Sequence, residues 1–300
     1  MDNLRVSLYM ILAMACFSIE DAFIKAAAKT VPLGEILFLF GLFGTAIFIL
    51  LTLPRGEKFF YPAILTGSIF IRSICEIIGR LFFCISLVLI PLSSLSAILQ
   101  ATPLIVVMGA AICFGEKVGL KRWGAIIIGL IGVLMIIRPG ADEFKLVSLF
   151  AVLGTLGFAG RDLATRSAPK ILSNIQLGVY GFFILMPIGL IILLFNDDVA
   201  NIVLPSSTSS LQILGTIVFG STAYYSLTVA IRIGEVSVVT PFRYTRLVFA
   251  LLIGVTLFDE RPDTLTLLGS AIVIASGIYT LLINKSVAKM KELRKLIGQR

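Results

Sequence analysis

An all-α integral membrane protein of ten transmembrane helices, arranged as two inverted five-helix repeats, is the fold class that three observations predict. The 300 residues are 58% hydrophobic and only 14% charged, with mean hydropathy +1.04, whereas about a quarter of a soluble domain is charged. Apolar runs of the ~20 residues that cross a ~30 Å hydrocarbon core recur along the whole chain. The same punctuation also occurs twice. Phe114-Gly115-Glu116-Lys117 returns 144 residues later as Phe258-Asp259-Glu260-Arg261, and Gly124 and Gly132 return at a shift of 145 as Gly269 and Gly277. Phe17, Asp21 and Lys25 return at a shift of 141 as Phe158, Asp162 and Arg166. A near-constant offset at three places means two copies of one unit.

The ten spans follow from the apolar runs and their breakers, at about 6–28, 33–53, 62–89, 92–114, 120–138, 146–166, 174–195, 210–233, 235–258 and 264–284. Pro32, Pro54-Arg55-Gly56, Pro91, Gly115, Pro139-Gly140, Pro169 and Pro262 separate them. The longer polar connection, Asn196 to Ser210, divides spans seven and eight. The first repeat is residues 1–140 and the second 141–285, and 286–300 is a basic cytoplasmic tail. That tail alternates basic and apolar residues, a pattern that lies on anionic lipid.

Orientation is read from Lys and Arg. Six of the 25 lie inside spans, and with the N-terminus in the cytoplasm the other nineteen divide fifteen inside to four outside. The positive-inside rule therefore places both termini in the cytoplasm. Five spans per repeat is odd, so the second copy is inverted relative to the first, as in many secondary transporters. The expected location is a bacterial inner membrane.

Composition also excludes functions. The chain has no histidine, which removes histidine metal sites, histidine proton relays and serine–histidine hydrolases. Cys16, Cys75, Cys84 and Cys113 fall in apolar runs without metal spacing and read as buried thiols. No cofactor is expected. The sequence pI of 9.5 reflects loop topology, so no nucleic acid is expected as a partner either.

The stretch Pro91 to Arg138, with Gln100-Ala101-Thr102-Pro103 and the Phe114 loop, resembles the EamA domain of the drug/metabolite transporter superfamily. Thr240 through Arg246 to the Phe258 loop and Gly277 resembles it again. The resemblance implies a ten-helix carrier of a small metabolite with a central cavity, and it names no substrate.

Charges inside spans mark the candidate site, because an ionised group at bilayer depth costs ~2.5 kcal/mol or more. Arg72, Glu76 and Arg80 form one stripe of span three, and Arg243 and Arg246 share a face of span nine with Tyr244 between them. Span one carries Glu20, Asp21 and Lys25, and span six carries Arg161, Asp162 and Arg166. Because it occurs in both repeats, the spacing Asp21–Lys25 and Asp162–Arg166 predicts structural i, i+4 ion pairs. Features found in one copy only are the candidates for recognition. Glu20 aligns with Arg161, Arg243 with Leu99, Arg246 with Thr102 and Tyr244 with Gln100, while span eight offers Tyr224 and Tyr225 where span three has its triad.

With Arg166 counted at the cytoplasmic end of its span, six bases against four acids leave a surplus of two positive charges in the spans, suited to a carboxylate, sulfonate or phosphate gripped by arginine. The expected arrangement has Arg243 and Arg246 at the anionic end of the cargo, with Tyr224, Tyr244 and Gln100 orienting its body. Glu76 or Glu20 then takes an ammonium group or a coupling proton. The triad of span three has a second reading as an internal ion ladder. The function predicted is secondary transport of a small anionic or zwitterionic, amino-acid-like or carboxylate-bearing, metabolite by alternating access. The alternatives are an intramembrane enzyme and a carrier of a cationic or aromatic metabolite read by Glu76 and Glu20. Missing histidines, phosphate loop and metal spacing argue against the enzyme. The partners expected are the metabolite, membrane lipid and either a coupling proton or an exchanged metabolite, with the protein a monomer or homodimer.

Overall fold

The computed structural model describes residues 3–56, 66–115, 119–137, 147–166, 172–195, 202–233 and 240–279. Its helices are α1 (Asn3–Ala27), α2 (Leu33–Thr52), α3 (Gly67–Leu89), α4 (Leu92–Leu99), α5 (Thr102–Phe114), α6 (Leu120–Ile137), α7 (Val147–Arg166), α8 (Asn174–Phe183), α9 (Leu185–Phe195) and α10 (Ser207–Ile233). After a 3-10 turn at Thr240–Tyr244 come α11 (Thr245–Phe258) and α12 (Thr264–Tyr279). No strand occurs among the described residues. The basic tail, Glu116, the Asp197-Asp198 connection and the side chain of Arg166 lie outside the described residues.

Among the described residues twelve helices make the ten spans, because spans four and seven are interrupted. Span four is α4 and α5, interrupted at Gln100–Ala101, and span seven is α8 and α9, interrupted at Ile184. Both breaks have a proline just beyond them, Pro103 and Pro187, which removes an i→i−4 hydrogen bond and crowds the preceding turn. At the first break the Thr102 hydroxyl donates to the Leu99 carbonyl at 2.6 Å, the acceptor that Pro103 leaves free. Span nine repeats the device. Pro241 lies in its 3-10 turn, and the Thr245 hydroxyl donates to the Phe242 carbonyl at 2.6 Å. Spans four and nine are repeat mates, and the end of the turn at Thr240–Tyr244 aligns with the break at Gln100–Ala101. Their far ends match as well. Gly115 closes α5 with φ 64° and Asp259 closes α11 with φ 51°, both left-handed C-caps. Glycine adopts that conformation freely, and aspartate is among the few other residues that tolerate it.

Among the described residues, six helical segments are long and apolar enough to cross a membrane by length and composition. The 23-residue α3 is long enough too but carries Arg72, Glu76 and Arg80. Packing follows the repeat. α1 lies along α10 as α7 lies along α3, and these two pairs exchange when the repeats are swapped. α2 with α8–α9 and α4 with α11 are pairs that map onto themselves, and so is α6 with α12, where a Cβ on Gly269 would meet the Gly132 carbonyl oxygen at 2.7 Å. Small residues there let the backbones touch. Gly124, the repeat mate of Gly269, faces open space instead. Its neighbours fall outside reach because the α6–α12 contact begins a turn further along.

Exposed leucines and isoleucines on α6, α9 and α12, among them Ile128, Leu194 and Leu268, would be a liability in water and are the natural face toward lipid tails. Spans two, five, seven and ten thus form two outer pairs. Spans one, three, four, six, eight and nine converge on the middle, where the charges are.

A charge nest between the broken spans

Each in-span arginine reaches across to another helix. Arg80 Nη1 donates to Glu20 Oε1 at 3.0 Å, and Arg246 Nη2 donates to Asp21 Oδ2 at 2.6 Å. Arg243 Nη1 donates to Asp162 Oδ2 at 2.9 Å, whose Oδ1 accepts from Arg161 Nε and Nη2 at 3.0 and 2.9 Å. Arg161 Nη1 also donates to Glu76 Oε1 at 3.3 Å. The two arginines of span nine are therefore divided between the two repeats, Arg246 on the aspartate of the first and Arg243 on the aspartate of the second. Rings steady the guanidinium groups, with Arg246 over Phe17 and Phe83 at 5.1 and 5.4 Å and Arg161 over Phe158 at 4.9 Å.

This geometry corrects the ion pairs expected within α1. Asp21 is taken by Arg246, and Lys25 instead donates to the Ile90 carbonyl at 2.7 Å and pairs with Glu260 at 3.3 Å. The physical reason is competition. A facing guanidinium already occupies the buried aspartate, and a lysine one turn nearer the span end finds acceptors where its ammonium stays close to water. Asp162 accepts from Arg161 and Arg243, and its expected pairing with Arg166 lies outside the described residues. The span-three triad also reaches to other helices, with Glu76 held by Arg161 of α7. Arg80 leaves for Glu20, and Arg72 Nη2 stands 4.0 Å from Glu76 Oε2. With Lys25 matched by Glu260 outside the spans, five arginines face four carboxylates among the described residues, a surplus of one charge.

The nest surrounds a cavity of about 40 Å³, room for a few waters but far below the ~300 Å³ or more of a metabolite site. The site is contracted. Phe17 of α1, Arg80 and Phe83 of α3, Phe158 and Arg161 of α7 and Leu227 of α10 line it, together with Gln100 and Thr102 at the first break and Arg243 and Arg246 at the second. Several polar atoms here are buried without a hydrogen-bond partner. They are Gln100 Nε2, Arg80 Nε and Arg246 Nε, and, behind them, Glu20 Oε2 and Asp21 Oδ1. Such atoms are costly to bury unless something bonds them. A neighbouring cleft is lined by Arg72, Thr165, Tyr224 and Arg232, and it shares Arg161 and Leu227 with the central cavity.

Of the residues singled out by sequence, Arg243, Arg246, Gln100, Arg80 and Arg161 line the central cavity, and Arg72 and Tyr224 line the neighbouring cleft. Glu20 and Glu76 sit behind the arginines as counter-charges. Tyr244 lines neither space. Its ring closes over Gly277 of α12, where no side chain would fit. Tyr225 is half-buried against the apolar core, and Phe82 pairs with Phe150 at 5.4 Å, apart from the charges. Phe17, Phe83 and Phe158 were missed as lining residues. For Phe17 and Phe158 the signal was present, since both stand four residues before an aspartate in matching positions of the repeat.

Residues 4–138 and 145–283 each match the EamA-like transporter family. The chain belongs to that family. It is 29% identical to a riboflavin transporter of Vibrio cholerae over 183 residues, 61% of this chain, and so spans 60% of that relative's length. It is 25% identical to the pseudopaline exporter CntI of Pseudomonas aeruginosa over 275 residues, 90% of this chain and 94% of that one. It is 22% identical to an S-adenosylmethionine uptake transporter of Rickettsia prowazekii over 288 residues, 94% of each chain. A crystal structure at 17% identity, with TM-score 0.64 over 93% of this chain and 99% of its own, shares the fold. EamA family membership makes this multi-pass membrane protein a transporter of small metabolites and sets the intramembrane-enzyme alternative aside.

Proposed function

We propose that the protein is a secondary transporter that moves a small anionic or zwitterionic organic metabolite across the bacterial inner membrane by alternating access. The observation that carries this reading is the set of buried, unpartnered N–H donors at Arg80, Arg246 and Gln100, residues that line the central cavity, within a nest that among the described residues holds one more arginine than carboxylate. A carboxylate, sulfonate or phosphate satisfies such donors and removes the surplus, and charge-assisted bonds are about twice as strong as neutral ones. Glu20 Oε2 and Asp21 Oδ1, each lacking a partner, suit an ammonium group or a coupling proton. Phe17, Phe83 and Phe158 supply apolar walls for the body of the cargo. The contracted cavity fits a state in which the pathway is shut, with the broken spans four and nine separating to admit cargo. In this reading the halves 1–140 and 141–285 move against each other, and both termini and the 286–300 tail face the cytoplasm.

The same free carboxylate oxygens favour a second reading, a cationic or aromatic cargo held by Glu20. Proteoliposomes preloaded with candidate amino acids, carboxylates or amines separate the two. Counterflow of a labelled carboxylate-bearing compound that fails in Arg243→Ala and Arg246→Ala supports the proposal. Counterflow confined to amines without an acid group, and lost in Glu20→Gln, contradicts it.

A further inference from the structure

Among the described residues, matching the in-span charges one by one leaves Arg72 as the odd guanidinium. Arg80, Arg243 and Arg246 each have a carboxylate within 3.0 Å, and Arg161 has two within 3.3 Å. Arg72 has only Glu76, at 4.0 Å, and Arg161 already holds that carboxylate more closely. Its actual hydrogen bonds go to neutral oxygens, from Nε to Thr165 Oγ1 at 3.1 Å and from Nη2 to the Tyr224 hydroxyl at 2.6 Å. Both hydroxyls are themselves fixed. Thr165 donates to the Arg161 carbonyl at 2.7 Å, and Tyr224 donates to the Leu177 carbonyl at 3.1 Å. Each therefore offers Arg72 a lone pair and holds its fork in one plane. Arg72 is 3% exposed, and its remaining nitrogen, Nη1, makes no hydrogen bond although the side chain lines the cleft between α3, α7 and α10.

A buried, oriented guanidinium with neutral partners and an unused donor is a site for an oxyanion. Among the described residues the cleft is lined by the guanidinium groups of Arg72 and Arg161 and by one carboxylate, Asp162, a setting that favours negative charge. The cleft lies toward the start of α3 and the ends of α7 and α10, the side that the lysine and arginine count assigns to the cytoplasm. We propose that Arg72, positioned by Thr165 and Tyr224, is a second anion subsite. It takes one carboxylate, sulfonate or phosphate group of the cargo at the mouth of the pathway. Arg161, which lines both spaces, then receives the anion on its way to the central cavity. The subsite deepens the proposed function and rests on its reading of the cargo as anionic or zwitterionic.

The test is binding of methanesulfonate and inorganic phosphate to the purified full-length protein in neutral detergent, followed by thermal shift and calorimetry. Wild type, Arg72→Gln, Arg72→Lys and Arg246→Ala are compared, with circular dichroism confirming that each is folded. The subsite predicts two binding events in wild type. Arg72→Gln should weaken one of them by about tenfold to a hundredfold and leave the other, Arg72→Lys should recover part of the loss, and Arg246→Ala should affect the other event. Wild-type titration in Arg72→Gln alongside loss in Arg246→Ala overturns the subsite and leaves the central anion site standing. No anion binding in wild type sinks both. Should phosphatidylglycerol in the micelles compete away the Arg72-dependent event, the occupant is a lipid headgroup and the role in cargo handling is refuted. Should Arg72→Gln fail to fold, Tyr224→Phe and Thr165→Val release the guanidinium from its supports, and unchanged affinity in both overturns the proposal.

Discussion

Glu260 and Asp21 each meet a base from a distant part of the chain, yet their surroundings differ. Glu260, in the loop after α11, accepts from the Leu92 and Ser93 backbone N–H groups at 2.6 and 3.0 Å, from the Ser93 hydroxyl at 2.7 Å and from Lys25 at 3.3 Å. Both its oxygens are occupied, and it caps the N-terminus of α4, where the helix dipole favours an anion. Asp21 accepts one strong bond from Arg246 and keeps its other oxygen bare, and so does Glu20 beside it. A contact that satisfies every atom holds the ends of spans one, four and nine together. The nest leaves donors and acceptors open, as the proposed cargo site requires.

Breaking the nest has the larger consequence. Arg246→Ala removes the partner of a buried aspartate and should destabilise the protein by ~3–5 kcal/mol, seen as a large fall in thermal midpoint. Adding Asp21→Asn should restore much of the stability while transport stays lost. Recovery of transport in the double variant would mean that the pair only braces the fold.

The Glu260 contact should cost less to break. Glu260→Ala frees two helix N–H groups and should lower stability by ~1–2 kcal/mol, with Glu260→Gln milder. Burial opposes ionisation of Glu260, but the Ser93 and Leu92 amides, the Ser93 hydroxyl and Lys25 outweigh it and hold the carboxyl below the usual glutamate range. A depressed pKa means that the contribution is complete above that range and is lost as pH falls through the lower value of the folded state. The gap in midpoint between wild type and Glu260→Gln should therefore be widest near neutral pH and close on acidification. A gap independent of pH would show that the carboxylate charge is irrelevant to the contact.

The smallest pair of effects separates two tyrosines. Tyr224→Phe removes the acceptor of Arg72 and the donor to Leu177 and should cost ~1–2 kcal/mol. Tyr244→Phe removes a buried hydroxyl without a partner and should be neutral within ~0.5 kcal/mol in thermal unfolding. Equal effects would mean that the two rings are not in the different settings described.

The reach of the sequence can be judged from the same residues. Span count and repeat were legible because hydropathy and punctuation are local, and the Phe114 and Phe258 loops that revealed the repeat are the left-handed caps Gly115 and Asp259. That charges gather at mid-span was legible too. Which charge meets which was not, since the partner of Asp21 lies 225 residues away and i, i+4 spacing carries no information about a facing helix. Tyr244 sits between two arginines in sequence, but its break in the helix turns the ring onto Gly277. The kink of span seven was available in Pro187, within a run apolar enough to read as one straight helix.

The central claim is that the cavity recognises an anionic group through arginines of span nine. The most direct measurement is a thermal-shift titration of the purified protein with matched pairs of metabolites, each acid against its own carboxamide. The acid of at least one pair should stabilise the wild type, its amide should not, and the difference should vanish in the Arg243→Ala, Arg246→Ala double variant. Equal stabilisation by acid and amide, or a preference for the acid that survives in the double variant, would contradict it.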